Sequence, residues 1–261
     1  MNLVNPYRFA ASGGTAIATP IHWWNLNNVD AVDSGDGLYD LGTKRVDSAW
    51  DLTNVGCTTS ATGGPNSQSV VDTPLTGYLH RSADKAWDGD SSTNISVSCW
   101  AFMDAISATG NWLWSWREEN TDRLTHGLFF NTTPNDFSSS QVWDAGDDTV
   151  NANDPTEVAA LTTWYHLCMT WDGTTIRHYI DGVEIGTGTN ASVGAFTTNA
   201  MPFAIGTASW AKGLTVARHD GRIGATGIWD VELSASEVQT LYDGGKNGSA
   251  TDGYYADYTW T

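Results

Sequence analysis

Positive charge is what this sequence has least of. Only 12 lysines and arginines face 30 acids, for a formal charge of −18, and 24 of those acids are aspartate, the acid that favours turns. A surface of that sign repels phosphate backbones and anionic headgroups, so neither nucleic acid nor membrane is expected as a partner. Cysteine is nearly as scarce. Cys57, Cys99 and Cys168 cannot complete a disulfide framework, and the last two stand in apolar, strand-like runs where a free thiol behaves as a small buried hydrophobe. Long apolar runs are missing, so no segment reaches the roughly 20 residues of a membrane span. Met1 to Phe9 carries Pro6, Tyr7 and Arg8 where a signal peptide needs uninterrupted apolar residues. Synthesis in a host cytoplasm without a signal peptide is the expectation.

Several chemistries lack their residues as well. The six histidines include no His-x-His or His-x-x-x-His pair for zinc, no glycine-rich phosphate loop precedes a helix, and no Ser, His and Asp set stands in a nucleophile elbow. Glycoside hydrolysis needs two carboxyls about 5 to 10 Å apart across the scissile bond. The candidate pairs are poor ones: Asp230 and Glu232 precede a helix start, Asp88 and Asp90 flank a loop glycine, and Glu118-Glu119 has no third acid at the right spacing. The chain is therefore expected not to be an enzyme. No cofactor is expected. Calcium stays open, since the loops Asp30 to Asp40 and Asp144 to Asp148 hold enough oxygen ligands, although neither has the spacing of a known calcium loop.

What the chain does have is glycine, aromatic rings and turn formers: 27 Gly, 14 Trp, 9 Tyr and 7 Phe. That mixture suits many short strands joined by tight turns. Ile21 to Leu26 reads as the first strand and Leu52 to Thr59 as a second. In Ile95 to Asp104 the residues Ile95, Val97, Cys99, Ala101 and Met103 share one face by the two-residue period, with Trp100 and Phe102 on the other, as in a central strand. Asn111 to Arg117 places Trp112, Trp114 and Trp116 at alternate positions, hence on one face. Leu128 to Asn131 and Ser140 to Trp143 are weaker strands. Trp164 to Trp171 runs into Asp172-Gly173 and resumes as Thr175 to Ile180, and Asp181-Gly182 leads on to Val183-Glu184-Ile185, a double hairpin signal. Pro202 to Gly206 and Gly221 to Trp229 follow. One helix is predicted, opened by the capping box Ser234-Ala235-Ser236-Glu237 and ended by Gly244-Gly245. The fold class is all-β, an antiparallel sandwich or jelly roll with one short C-terminal helix. Residues 1–20 read as an N-terminal arm, 21–246 as the sandwich, and 247–261 as a C-terminal tail or, through Tyr254 to Trp260, an edge strand.

The order of these features resembles the laminin-G-like domains of the concanavalin A-like lectin and glucanase superfamily, over roughly Ile21 to Gly245. Five landmarks carry the resemblance: His22-Trp23-Trp24; Ile95 to Ala101; Trp164-Tyr165-His166 with Trp171-Asp172-Gly173; Tyr179-Ile180-Asp181-Gly182; and Phe203 to Gly206 leading to Gly221 and the helix. Gly224-Ala225 stands where the family often has an acidic pair, so the resemblance implies no metal site there. Asn5-Pro6-Tyr7-Arg8-Phe9 is similar to the start of tailed-phage structural proteins. That similarity implies a virion location, as capsid decoration or a tail or fibre component. It implies other virion proteins and copies of the chain itself as partners, contacted through Asn5, Pro6, Tyr7, Arg8 and Phe9.

The tryptophans are the remaining lead. Exposed rings stack on sugar faces, so Trp210, in a loop-like stretch, and Trp112, Trp114 and Trp116 are the candidate carbohydrate-binding residues, with glycan as the alternative partner. The competing reading places the three strand tryptophans in the core between two sheets.

Overall fold

Strands of mixed polarity find their partners by burying alternate faces, and here they do so in two stacked sheets. The computed structural model describes residues 16–29, 40–43, 50–67, 69–81, 93–105, 111–117, 124–130, 139–143, 149–153, 160–193, 203–208 and 216–247. The first sheet runs β13 (Val183–Thr189), β12 (Thr175–Ile180), β11 (Trp164–Trp171), β6 (Ile95–Met103), β17 (Gly221–Trp229), β4 (Val70–Thr73) and β3 (Thr58–Ser60). On the flank of β17 away from β6, β4 pairs Gly221 to Ile223, while β1 (His22–Trp24) pairs Thr226 to Ile228. The second sheet runs β10 (Thr149–Asn153), β9 (Ser139–Trp143), β8 (Leu124–Phe130), β7 (Asn111–Arg117), β14 (Phe203–Ile205), β5 (Tyr78–Arg81) and β2 (Leu52–Val55). A strap of β15 (Thr207–Ala208) and β16 (Val216–Arg218) joins it along β7, with β16 parallel to β7 and, among the described residues, every other pairing antiparallel.

Turn chemistry explains the connections. Asp181 (φ 50°) and Gly182 (φ 80°) are both left-handed between the paired residues Ile180 and Val183, the two-residue turn whose twist matches that of the strands. At the preceding hairpin Asp172 Oδ1 accepts the amides of Thr174 and Thr175 at 2.9 and 2.7 Å. The stretch expected as one strand from Leu52 to Thr59 is two. Gly56 (φ 71°) breaks it, Asn54 brackets Cys57 through two side-chain hydrogen bonds of 2.9 and 3.1 Å, and the chain leaves the second sheet as β2 to enter the first as β3.

Between the sheets lies the main core. Ile95, Val97, Cys99, Ala101 and Met103 all enter it, as the period of two requires. An aromatic knot fills one region: Trp24 stacks on Phe203 at 5.2 Å and Trp50 meets Trp116 edge-on at 5.4 Å. Beside it Asp40, fully buried, accepts from His22 Nδ1 at 2.7 Å and from the amides of Trp23 and Gly42 at 2.9 and 2.8 Å. The guanidinium of Arg81 lies 4.2 Å over the Trp50 ring.

A third layer covers the outer face of the first sheet. Helix α1 (Ala235–Asn247) packs Val238 and Leu241 against Cys168, Tyr179 and Trp229. Its capping box is formed, with the Ser234 amide donating to Glu237 Oε2 at 2.8 Å and the Glu237 amide to Ser234 Oγ at 3.4 Å. The helix does not stop at Gly244-Gly245. It continues to Asn247, because Gly245 is where the Trp100 indole rests on the helix backbone, not a terminator. The fold also starts before the expected boundary at residue 21. Ile17 is buried, Ala18 donates its amide to Glu237 Oε1 at 3.0 Å, and its carbonyl accepts Trp229 Nε1 at 2.6 Å, so the end of the expected arm is fastened to the helix start. The remaining arm and the tail 248–261, including the expected edge strand Tyr254 to Trp260, lie outside the described residues.

Candidate functional site

The three strand tryptophans do not share a face. Against β8, Trp112 pairs with Phe129 and Trp114 with the next residue, Leu128, so Leu113 is an extra residue in β7. Such a bulge resets the alternation and re-aims the side chain beside it. Leu113 and Trp114 are both buried in the core, as is Trp116, while Trp112 is half-buried and belongs to neither core cluster. At 1% and 0% exposure, Trp114 and Trp116 present no ring face to a sugar; they fill the space between the sheets, which corrects the expectation that they bind carbohydrate. Trp210 and Asn5, Pro6, Tyr7, Arg8 and Phe9 lie outside the described residues.

Trp112 has neighbours that the sequence order conceals. Gly206 (φ 81°) turns the chain out of β14, its amide donates to the Leu113 carbonyl at 2.8 Å, and the strap returns Arg218 to pair with Trp112. The Arg218 guanidinium lies 5.1 Å over Tyr78 and donates to the Leu75 carbonyl at 3.2 Å. On β5, Leu79 and Arg81 point inward and leave Tyr78 and His80 half-buried on the outer side, with their rings 5.6 Å apart. His80 Nδ1 donates to the Arg81 carbonyl at 2.7 Å, which fixes the ring and leaves Nε2 as its other polar edge. Two aromatic rings, an imidazole and a guanidinium thus gather on the outer face of the second sheet. They offer apolar ring faces and planar donors, and the group contains no carboxylate pair.

Glu232, half of a carboxylate pair weighed from sequence, is held by Arg177 Nη1, which also reaches Asp172 Oδ2 at 3.3 Å. Asp88, Asp90, Glu118 and Glu119 lie outside the described residues, as do the loops weighed for calcium apart from Asp40. Among the described residues, no group of three or more His, Cys, Asp and Glu is placed to hold a metal ion. Ser98 Oγ and His166 Nε2 share a hydrogen bond of 2.7 Å, a pair the sequence did not reveal. It lies sealed beneath Trp100 and Tyr242, and burial pushes His166 down to about 3. The three thiols are free and buried, and burial raises each of them, Cys57 to about 12.

Two sheets face to face, a helix on one outer face and an aromatic cluster on the other define a lectin-like sandwich. The chain belongs to the concanavalin A-like lectin/glucanase superfamily, whose profile matches residues 76–239. A search of curated proteins by sequence finds no match. Among solved structures, domain 4 of an extracellular arabinanase from Geobacillus stearothermophilus, in complex with arabinotriose, is similar at 16% identity and a TM-score of 0.55, covering 86% of this chain and 98% of that one. The binding domain of Paraclostridial mosquitocidal protein 1 is similar at 13% identity and a TM-score of 0.60, covering 86% and 52%. The botulinum neurotoxin serotype D ligand-binding domain in complex with N-acetylneuraminic acid gives 11%, 0.55, 87% and 51%. The chain thus spans about half the length of the two toxin domains. At these identities the likeness concerns the fold.

Proposed function

We propose that this chain is a non-catalytic carbohydrate-binding module that recognises glycans on a host surface or in its surroundings. The observation that carries the reading is the bulge at Leu113, which removes Trp112 from the core and leaves it paired with Arg218, whose guanidinium lies over Tyr78. A sugar stacked on these rings buries its C–H face, while the guanidinium and the His80 edge bind its hydroxyls. Two of the similar solved structures contain a saccharide, which supports the same class of ligand. A glycan array tests it: the chain retains a defined subset of glycans, and Trp112→Ala and Arg218→Ala each abolish that retention while the fold persists. An array on which the unaltered chain binds nothing refutes the proposal.

A second reading is a structural part of a phage particle, as capsid decoration or in a tail or fibre. It is supported by the similarity of Asn5 to Phe9 to phage structural proteins and by an acidic coat of −18 that keeps crowded copies soluble. The two readings are compatible. Light-scattering mass with and without residues 1–15 tests the second, which predicts an oligomer that needs the arm.

A further inference from the structure

The strap that carries Arg218 is short. β15 has two residues and β16 three, the register slips between Thr207 and Ala208, and among the described residues β16 meets β7 where Arg218 pairs with Trp112. A side chain as long and rotamer-rich as arginine holds one pose only when the backbone beneath it is fixed. Ser115 Oγ donates to the Thr207 carbonyl at 2.9 Å and fastens the outgoing limb of the strap to β7. The returning limb is fastened to the other sheet.

His219, the residue after Arg218, is fully buried. Its amide donates to the Gly206 carbonyl at 2.9 Å, and its Nε2 donates to the Phe102 carbonyl of β6 at 3.0 Å. One imidazole thus ties a strap on the second sheet to a central strand of the first. Burial lowers His219 to about 4, so at pH 7 it is a neutral ring that donates through Nε2. Gly221 leaves the room for this contact, since a Cβ there would stand 1.9 Å from the Phe102 oxygen and 2.9 Å from His219 Nε2. Beyond it the chain is secured again, by the Asp104 amide on the Asp220 carbonyl at 2.8 Å and by Thr73 Oγ1 on the Gly221 carbonyl at 3.0 Å. Arg218 therefore stands half-buried over Tyr78 on a backbone whose next side chain is bolted through the interior.

We propose that His219 is a positioning residue of the Trp112 face: its hydrogen bond to Phe102 fixes the strap and so holds the Arg218 guanidinium over Tyr78. The consequence for binding rests on the carbohydrate reading of that face, but the pose of Arg218 can be read without any glycan. The role differs from that of a core histidine such as His166, whose ring is sealed beneath Trp100 and Tyr242 and touches no part of the strap.

The test reads the pose of Arg218 first and glycan retention second, both on the full chain. In nitrogen-15 NMR the Arg218 Nε–H, assigned by its loss in Arg218→Lys, is shifted upfield by the Tyr78 ring, and Tyr78→Leu abolishes that shift. His219→Asn, whose donor is too short to reach Phe102, and His219→Met, which fills the space without a donor, each move the resonance to that of a free arginine. Either variant suffices if the other does not fold. His219→Gln carries an Nε2–H at similar reach and keeps the shift, and His166→Gln leaves it unchanged. On the glycan array, retention by the folded donor-less variant falls by about tenfold or more, and His219→Gln recovers it. An Arg218 resonance that stays in place without the donor overturns the positioning role, and loss of the shift in His219→Gln overturns the hydrogen bond as its cause. A moved resonance with unchanged retention overturns the consequence for binding. An array on which the unaltered chain binds nothing refutes the carbohydrate reading instead, while the Arg218 resonance still decides the anchor.

Discussion

Gly244 and Gly245 are adjacent in one helix, and replacing each with alanine is expected to move stability in opposite directions. Both lie inside α1 without a left-handed φ, so alanine at either position gains about 1 kcal/mol of helix propensity. At Gly245 a Cβ would stand 2.4 to 2.6 Å from Trp100 Nε1, Cε2 and Cζ2. That ring cannot yield cheaply, because it stacks on Tyr242 at 5.9 Å and packs beside His166 at 5.2 Å. Overpacking of this kind costs about 1–3 kcal/mol, and more if the indole is expelled from its site. Gly245→Ala is thus expected to lose about 1 kcal/mol net, and more if the indole is expelled, while Gly244→Ala gains about 0.5–1 kcal/mol. In urea melts followed by tryptophan fluorescence the two midpoints move apart with the slope unchanged. A stabilised Gly245→Ala would show that α1 does not rest on Trp100.

Acid is expected to weaken the fold before the carboxylates titrate. Burial lowers His166 to about 3 and His219 to about 4, from an ordinary 6.5, so below pH 6.5 the unfolded chain binds protons that the folded one refuses. Stability then falls by about 1.4 kcal/mol per histidine per pH unit, about 2 kcal/mol each by pH 5, and urea midpoints at pH 7 and 5 check it, with His166→Gln removing about half of the drop. Glu237→Ala opens the capping box and frees Ala18, for a loss of about 1–2 kcal/mol. Hydrogen bonds from Ser234 and Ala18 hold Glu237 below its usual value despite burial, so its contribution at neutral pH fades as pH falls through that depressed value, and melts of Glu237→Ala and the unaltered chain converge there. Cys57, Cys99 and Cys168 are expected to be inert to a thiol reagent in the folded chain and to react together on unfolding; one disulfide-linked pair would contradict the assignment of free thiols.

The parts legible in the sequence are those fixed by local chemistry. The two Asp-Gly turns, the capping box and the alternation from Ile95 to Met103 each act within a few residues, and each appears in the structure as read. Where a long-range contact overrides the local signal, the reading fails. Gly244-Gly245 resembles a helix stop until Trp100 is brought to it from 145 positions away, and Leu52 to Thr59 resembles one strand until Gly56 sends its halves to different sheets. The strands β4 and β5 are four residues each and gave no periodic signal long enough to notice. The candidate site depends on register: a single extra residue at Leu113 separates Trp112 from Trp114.

The account rests most heavily on Trp112 being a ligand-facing ring. The direct measurement is a fluorescence or calorimetric titration of the full chain and of Trp112→Ala with the best glycan from the array. The prediction is an affinity lower by about tenfold or more in the variant, with an unchanged melting midpoint, since the ring lies outside the core. Equal affinity in the two proteins would contradict the assignment of the sugar site to this face.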